Sequence, residues 1–328
     1  MFRVNGPLKE VLEKPATNEK ELLKVRSWEV KESPTDLGYV AVHGWPKLPK
    51  NWRFEGGPRT YVQRGICGAA ADSKGRYYVA NRGGGMPPIL RFDRDGELRK
   101  AWGEGQFETI HYIKCDPNDN LWVIDTDSIY CYTPEGKLIK RLGTKGVLGE
   151  DGTHFNEPTD VAFGKDGRIY VSDGYGNHRV AYFEDTRGHL TFPTTPKFLG
   201  QWGSEGDGEG QFHIPHSITT DADGLVYVSD RQRWRVEIFT PDGEFLRQWT
   251  HIGRVYQLDS TGGYIYALTV QGRVPEWETR LYKIDLSGEI VGWLEPNKYS
   301  LESAHGFGIA PNGDIALTAW GPQLFIKK

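Results

Sequence analysis

The sequence predicts an all-β fold, a six-bladed β-propeller with four-stranded blades. Three observations carry that prediction. An internal repeat recurs six times, each copy alternates apolar and polar residues between Asp-Gly turns, and equivalent turns are spaced by whole blades rather than by single hairpins.

Each copy reads as an apolar strand, a tight turn, a second strand ending in Asp or Asn, a third strand and a second turn. VAFGKDGRIYVSDGYGNHRVAYF (161–183) and ITTDADGLVYVSDRQRWRVEIF (218–239) are clear copies. The first turns carry Gly75, Asp119, Gly167, Gly224, Gly263 and Gly313, with gaps of 44, 48, 57, 39 and 50 residues. Period-two alternation marks strands, and glycine supplies the positive φ of tight hairpin turns. Beyond the third strands, Asp95-Gly96, Glu135-Gly136, Asp242-Gly243 and Ser287-Gly288 each open another short run. Four strands per copy make a propeller blade. The last copy, FGIAPNGDIAL (307–317), is truncated. GYVAVH at 38–43 is expected to supply its outer strand and close the ring, which removes a free sheet edge.

Composition agrees. The chain has 41 Gly, 11 Trp and 16 Tyr in 328 residues, which suits many short strands and turns. Length alone suggests two domains, but the repeat makes 38–328 a single propeller. Residues 1–37 are expected to form an extension packed on its outside, with short helices near 8–12 and 19–25. Net charge is −4 with no basic tract, so neither nucleic acid nor a membrane is an expected partner. No run approaches roughly 18 apolar residues. The N-terminal segment is charged from Arg3 and lacks an apolar core, unlike a secretory signal. Three cysteines without close pairing read as buried thiols in a reducing, cytoplasmic setting. Oligomeric state is not encoded in any of these features.

Three histidines occupy one register of the repeat. His111, His216 and His305 each stand eight residues before the turn residue of their copy, on alternate copies. The six copies carry Cys67, His111, Thr159, His216, Val255 and His305 there. Since the innermost strands line the central channel, this position rings one level of it. Three imidazoles facing one axis make a metal site with an open position, as catalytic zinc requires. The same donors also suit other divalent transition metals.

A second level is set by the residues closing the second strands, Asn81, Asp125, Asp173, Asp230, Thr269 and Ala319. Their successors are Arg82, Thr126, Gly174, Arg231, Val270 and Trp320. Arg82 and Arg231 suit a carboxylate or carbonyl clamp, or an ion pair with Asp173 or Asp230. The aspartates suit turn capping. Tyr175 lies between two glycines, at a loop tip that the backbone can aim inward. A tyrosine base must lose a proton at a reference pKa of about 10. A neighbouring arginine favours the ionised form.

These residues resemble the peptidyl-α-hydroxyglycine α-amidating lyase family, the lyase domain of peptidylglycine amidating enzymes. The matching stretches are HFNEPTDVAF (154–163), VSDGYGNHRV (171–180), QWG (201–203), GQFHIPHSI (210–218) and SDRQRWRVEIF (229–239). They go beyond the general NHL-repeat pattern. YVANRG (78–83), IHYIKCDPNDNLWVID (110–125) and SAHGFGIAPNGDI (303–315) extend the likeness to most of 60–328. The resemblance implies a six-bladed propeller with zinc on His111, His216 and His305. It implies Tyr175 as the base that takes the proton of a substrate hydroxyl, with Arg82 holding Tyr175 ionised. Arg231 would then face the substrate carboxylate or the channel mouth. The implied reaction is cleavage of a carbinolamide-like N–C(OH) bond, or a related C–O or C–N bond, in a small molecule or short peptide.

The chain departs from the family at three points. Gly306 replaces an aspartate ligand of the family's structural calcium, and Gly176 replaces a cysteine. An attached copper monooxygenase domain is also not expected. The stretch 184–197 lengthens the third copy and is expected to shape the pocket beside Tyr175. Two other readings stand beside the lyase. One is a propeller metallohydrolase acting on an ester, lactone or amide with Asp173 or Asp230 as base. The other is a non-catalytic NHL interaction module.

Overall fold

The computed structural model describes residues 35–52, 54, 65–83, 85–185, 193–271, 278–294, 304–318 and 322–327. Among these residues every regular element is a strand, arranged in six sheets that are antiparallel apart from one short added strand. Blade three is representative. Pro158–Phe163, Arg168–Asp173, Arg179–Glu184 and Lys197–Trp202 follow one another outward in chain order. The first strand of every blade is innermost.

The turns behave as their residues dictate. Gly75, Gly167, Gly224, Gly263 and Gly313 all adopt positive φ, and Asp119 takes the same left-handed conformation at 67°. Aspartate is one of the few side chains that tolerate it.

The core is divided among the junctions between blades. Six hydrophobic clusters each join residues of two adjacent sheets. Tyr78 and Ile89 of blade one meet Ile113 and Val123 of blade two. Val79 and Leu90 of blade one meet Ala316 and Leu324 of blade six, which closes the ring. Each fully buried large side chain contributes about 1.5–3 kcal/mol. Closure therefore rests on contacts that span most of the chain.

The expected closing strand is present. Tyr39–Ala41 pairs antiparallel with Pro322–Lys327 as the outer strand of blade six. Thr35–Asp36, assigned by sequence to the outer extension, adds in parallel to Ile290–Leu294 of blade five. The expected helices near 8–12 and 19–25 lie outside the described residues. Among the described residues no helix is long and apolar enough to cross a membrane. Cys67, Cys115 and Cys131 are free thiols.

The described ends of the lengthened stretch in blade three lie away from Tyr175. The stretch leaves the strand at Glu184, which pairs with Arg168, whereas Asp173 and Tyr175 lie at the other end. Thr194 instead bridges to Lys140 on the outer edge of blade two. The residues 186–192 lie outside the described ones.

Candidate metal centre

In four blades the residue at the level of the histidines stands where strand pairing slips. Register with the second strand breaks between Ile66 and Gly68, Pro158 and Asp160, Pro215 and Ser217, and Val255 and Gln257. The intervening residues are Cys67, Thr159, His216 and Tyr256. A bulge re-aims its side chain, and two of these residues, His216 and Tyr256, pack against the histidine cluster. Counting eight residues back from the turn therefore misses by one in blade five. Its first turn is a two-residue Gly262-Gly263 hairpin, so Tyr256 holds the place expected for Val255.

His111, His216 and His305 converge. Their ring centroids lie 4.9, 5.3 and 6.0 Å apart, all three are buried, and their nearest nitrogens lie within 4.8 Å of one another. Each ring is oriented from the following blade. The Nδ1–H of His111 donates to the carbonyl of Thr159 at 2.6 Å, that of His216 to Tyr256 at 2.7 Å, and that of His305 to Cys67 at 2.8 Å. The three blades without a histidine thus supply the carbonyls that orient the three that have one.

These bonds place the proton on Nδ1 and leave a lone pair on each Nε2. Burial holds His111 and His216 well below the usual imidazole range, with the neighbouring imidazoles and guanidiniums adding to it. His305 is pushed down to about 3 by burial and by the Arg82 charge. The His111 Nε2 is buried without a hydrogen-bond partner. A buried nitrogen left unpaired is costly. Three neutral imidazoles oriented by carbonyls, one with an orphaned lone pair, fit a divalent transition metal. Ligand bonds of about 2.0–2.1 Å to one ion need the widest gaps, up to 4.8 Å, to narrow.

Tyr175 borders the same point. Its hydroxyl oxygen lies 2.9 Å from His216 Nε2, and Arg231 Nη1 donates to that oxygen at 2.9 Å. The Tyr175 ring stands edge-on to His111 and His216, and the Arg231 guanidinium lies 5.2 Å from its centre. The loop is held by the amides of Tyr175 and Gly176, which donate to the carbonyls of Glu157 and Asn156. Gly174 packs against the backbone of Pro215, where a Cβ would collide with the Pro215 carbonyl. That close approach ties the Tyr175 loop to the strand bearing His216.

The two arginines divide the work differently from the expectation. Arg231, not Arg82, donates to Tyr175. Arg82 bonds the carbonyls of Ile110 and His111, with Nη2 at 3.2 Å from the latter, and so braces the segment that presents His111. Neither pairs with Asp173 or Asp230. Arg179 takes Asp173 at 2.9 Å, and Arg235 lies 3.4 Å from Asp230. Asp125, Asp173 and Asp230 accept backbone amides of the loops at Glu108–Thr109, Asn156 and His213–Ile214. All three are turn-capping groups, as their residue type suggests. Burial raises the Asp173 pKa to about 6 even so. Ala319 and Trp320 of this level lie outside the described residues.

Sequence reasoning missed the floor of the site. The buried Tyr112 hydroxyl lies 2.8 and 2.7 Å from the carbonyls of Tyr256 and His305. Its ring packs at 4.3 Å from His111 and 4.8 Å from His305. Beneath it the Lys114 ammonium crosses the hub to Asp160 at 3.0 Å and to the Ile218 carbonyl at 2.9 Å. Tyr112 and Lys114 thereby tie blades two to six together across the hub. Gly306 lies against Gly68, Cys67 and Gln257, where a Cβ would be crowded.

Comparison with known proteins supports the propeller fold. The NHL repeat model matches residues 155–183. A probable peptidyl-alpha-hydroxyglycine alpha-amidating lyase from Caenorhabditis elegans is 29% identical over 253 residues, covering 73% of this chain and 69% of that protein. Peptidylglycine alpha-amidating monooxygenase from Rattus norvegicus is 29% identical over 308 residues, covering 79% of this chain but only 30% of its own length. A catalytically inactive virginiamycin B lyase from Staphylococcus aureus, solved with quinupristin, superposes with a TM-score of 0.53 at 16% identity, covering 80% of each chain. That last likeness is one of fold. The chain resembles the α-amidating lyases over most of its propeller.

Proposed function

We propose that this protein is a metal-dependent lyase that breaks a carbinolamide-like N–C(OH) bond in a small molecule or short peptide. The observation that carries the reading is the Tyr175 hydroxyl, held between His216 Nε2 and the Arg231 guanidinium. The match to relatives named as α-amidating lyases supports it.

His111, His216 and His305 would hold the cation, and zinc suits this donor set. When bound, such an ion polarises oxygen and brings a hydroxyl toward ionisation near neutral pH. Tyr175, whose oxygen accepts a hydrogen bond from Arg231, takes the proton of the substrate hydroxyl. The carbinol carbon and oxygen become a carbonyl. The C–N bond breaks, its electron pair leaves with nitrogen, and nitrogen takes up a proton. The products are an amide and a carbonyl compound. Tyr112 and Tyr256 wall the site from below and from blade five, which limits competing water.

The hydrolase reading needs a carboxylate base at the hub. Asp173 and Asp230 are both committed to arginines and backbone amides. That commitment favours the tyrosine-based lyase.

The test combines metal analysis of the purified protein with an assay for glyoxylate and benzamide released from α-hydroxyhippurate. Stoichiometric metal with release is expected. Full metal content without release would reject the reaction and keep the site. Absence of both would reject both.

A further inference from the structure

Arg254 stands beside Tyr256, next to the histidine cluster, and has no part in the reaction just described. It precedes the innermost strand of blade five, Val255–Thr261. Its guanidinium carbon lies 5.4 Å from the centre of the Tyr256 ring, and that of Arg231 lies 5.3 Å from the same ring. Tyr256 in turn packs at 5.5 Å from His216 and 6.1 Å from His305. Two guanidiniums therefore share one aromatic ring, a single side chain away from the histidine cluster.

The donors of Arg254 are underused. Its Nη2 donates to the Gln232 side chain at 2.9 Å, while its Nε is buried without a partner. The Arg231 Nε is buried and unpartnered in the same way. Among the described residues no carboxylate pairs with either group, because Asp173 and Asp230 are taken by Arg179 and Arg235. Burial lowers the Arg254 pKa, and the Arg231 charge opposes it further. Partly buried like charges with unused N–H donors are unfavourable until an anion joins them.

We propose that Arg254 is a specificity-determining residue that receives a carboxylate of the substrate, while Arg231 remains committed to Tyr175. The planar fork of guanidinium donors matches the two oxygens of a carboxylate. The inference rests on the lyase reading for the rest of the substrate, a carbinolamide carrying that carboxylate.

The experiment measures binding, not turnover. Hippurate and its neutral amide, hippuramide, are titrated calorimetrically into the full chain, wild type, Arg254→Gln and Arg254→Lys. The wild type is expected to favour hippurate by at least about tenfold. Arg254→Gln should remove most of that preference and leave hippuramide affinity nearly unchanged. Arg254→Lys should keep the charge and part of the preference. A wild type that does not distinguish the probes overturns the proposal. So does a Gln variant that keeps the preference, or one that loses both probes equally, since that marks Arg254 as mere support for Tyr256. Charge preference without glyoxylate release would sink the lyase reading and keep Arg254. Release without charge preference would do the reverse.

Discussion

The hydroxyl oxygen of Tyr175 lies 2.9 Å from Nε2 of His216, on the lone pair that a cation at the histidine cluster would use. The same oxygen accepts from Arg231. A phenol oxygen and an imidazole nitrogen thus share one small space, although 41 residues separate them in sequence.

Tyr175→Phe keeps the ring and its edge contacts with His111 and His216 but removes the oxygen. Turnover of α-hydroxyhippurate should fall by about 10²–10⁴, while metal content stays at the wild-type level. A Phe variant with near-normal turnover would remove Tyr175 from the role of base.

Metal removal should cost stability as well as activity. A cation bound only by the folded chain stabilises it by mass action. Treatment with a strong chelator should lower the thermal midpoint, and added zinc should restore it. His111→Ala should abolish both the metal and the chelator effect. Unchanged midpoints on chelation would mean the cluster holds no ion.

The two arginines should fail differently. Arg231→Lys retains charge but loses the guanidinium fork and its stacking on Tyr175. It should lower kcat at least about tenfold with metal retained. Arg82→Ala removes donors from the carbonyls of Ile110 and His111. It should weaken metal affinity before it weakens turnover at saturating metal. Kinetics and metal titrations on both variants separate the roles, and identical behaviour would contradict the division.

Glu237 predicts a pH dependence of stability. Its side chain is fully buried in blade four, Oε2 has no partner, and Arg235 lies 3.4 Å from Oε1. Burial, partly opposed by Arg235, raises its pKa to about 7. The folded chain therefore keeps this proton over a range where the unfolded chain, near the usual 4.5, has lost it. The stabilisation is complete below that lower value and is lost as pH rises through about 7. Glu237→Gln imitates the protonated form, so its melting temperature relative to wild type should rise between pH 5 and pH 8. A relative fall over that range would show an ionised carboxylate held by Arg235.

The blades and the histidine cluster were legible because both follow from local rules. Period-two alternation and turn glycines mark each blade, and a constant offset from the turn puts His111, His216 and His305 in one register. The GYVAVH run was readable as the closing strand for the same reason, since Tyr39–Ala41 takes that place. The offset failed where the turn changed length. The Gly262-Gly263 hairpin shifts blade five by one residue and turns Tyr256, not Val255, toward the hub.

The sequence by itself determined the number of blades, the three imidazoles and the tyrosine between two glycines. Only the tertiary structure decided which arginine touches Tyr175, that Asp173 and Asp230 are already engaged, and that Tyr112 ties blade two to blades five and six across the hub. The physical reason is that these are contacts between blades. Tyr112 reaches the His305 carbonyl across 193 residues, and Arg231 reaches Tyr175 across 56. Strand periodicity governs which face a side chain takes, but ring closure governs which side chains of different blades meet at the axis.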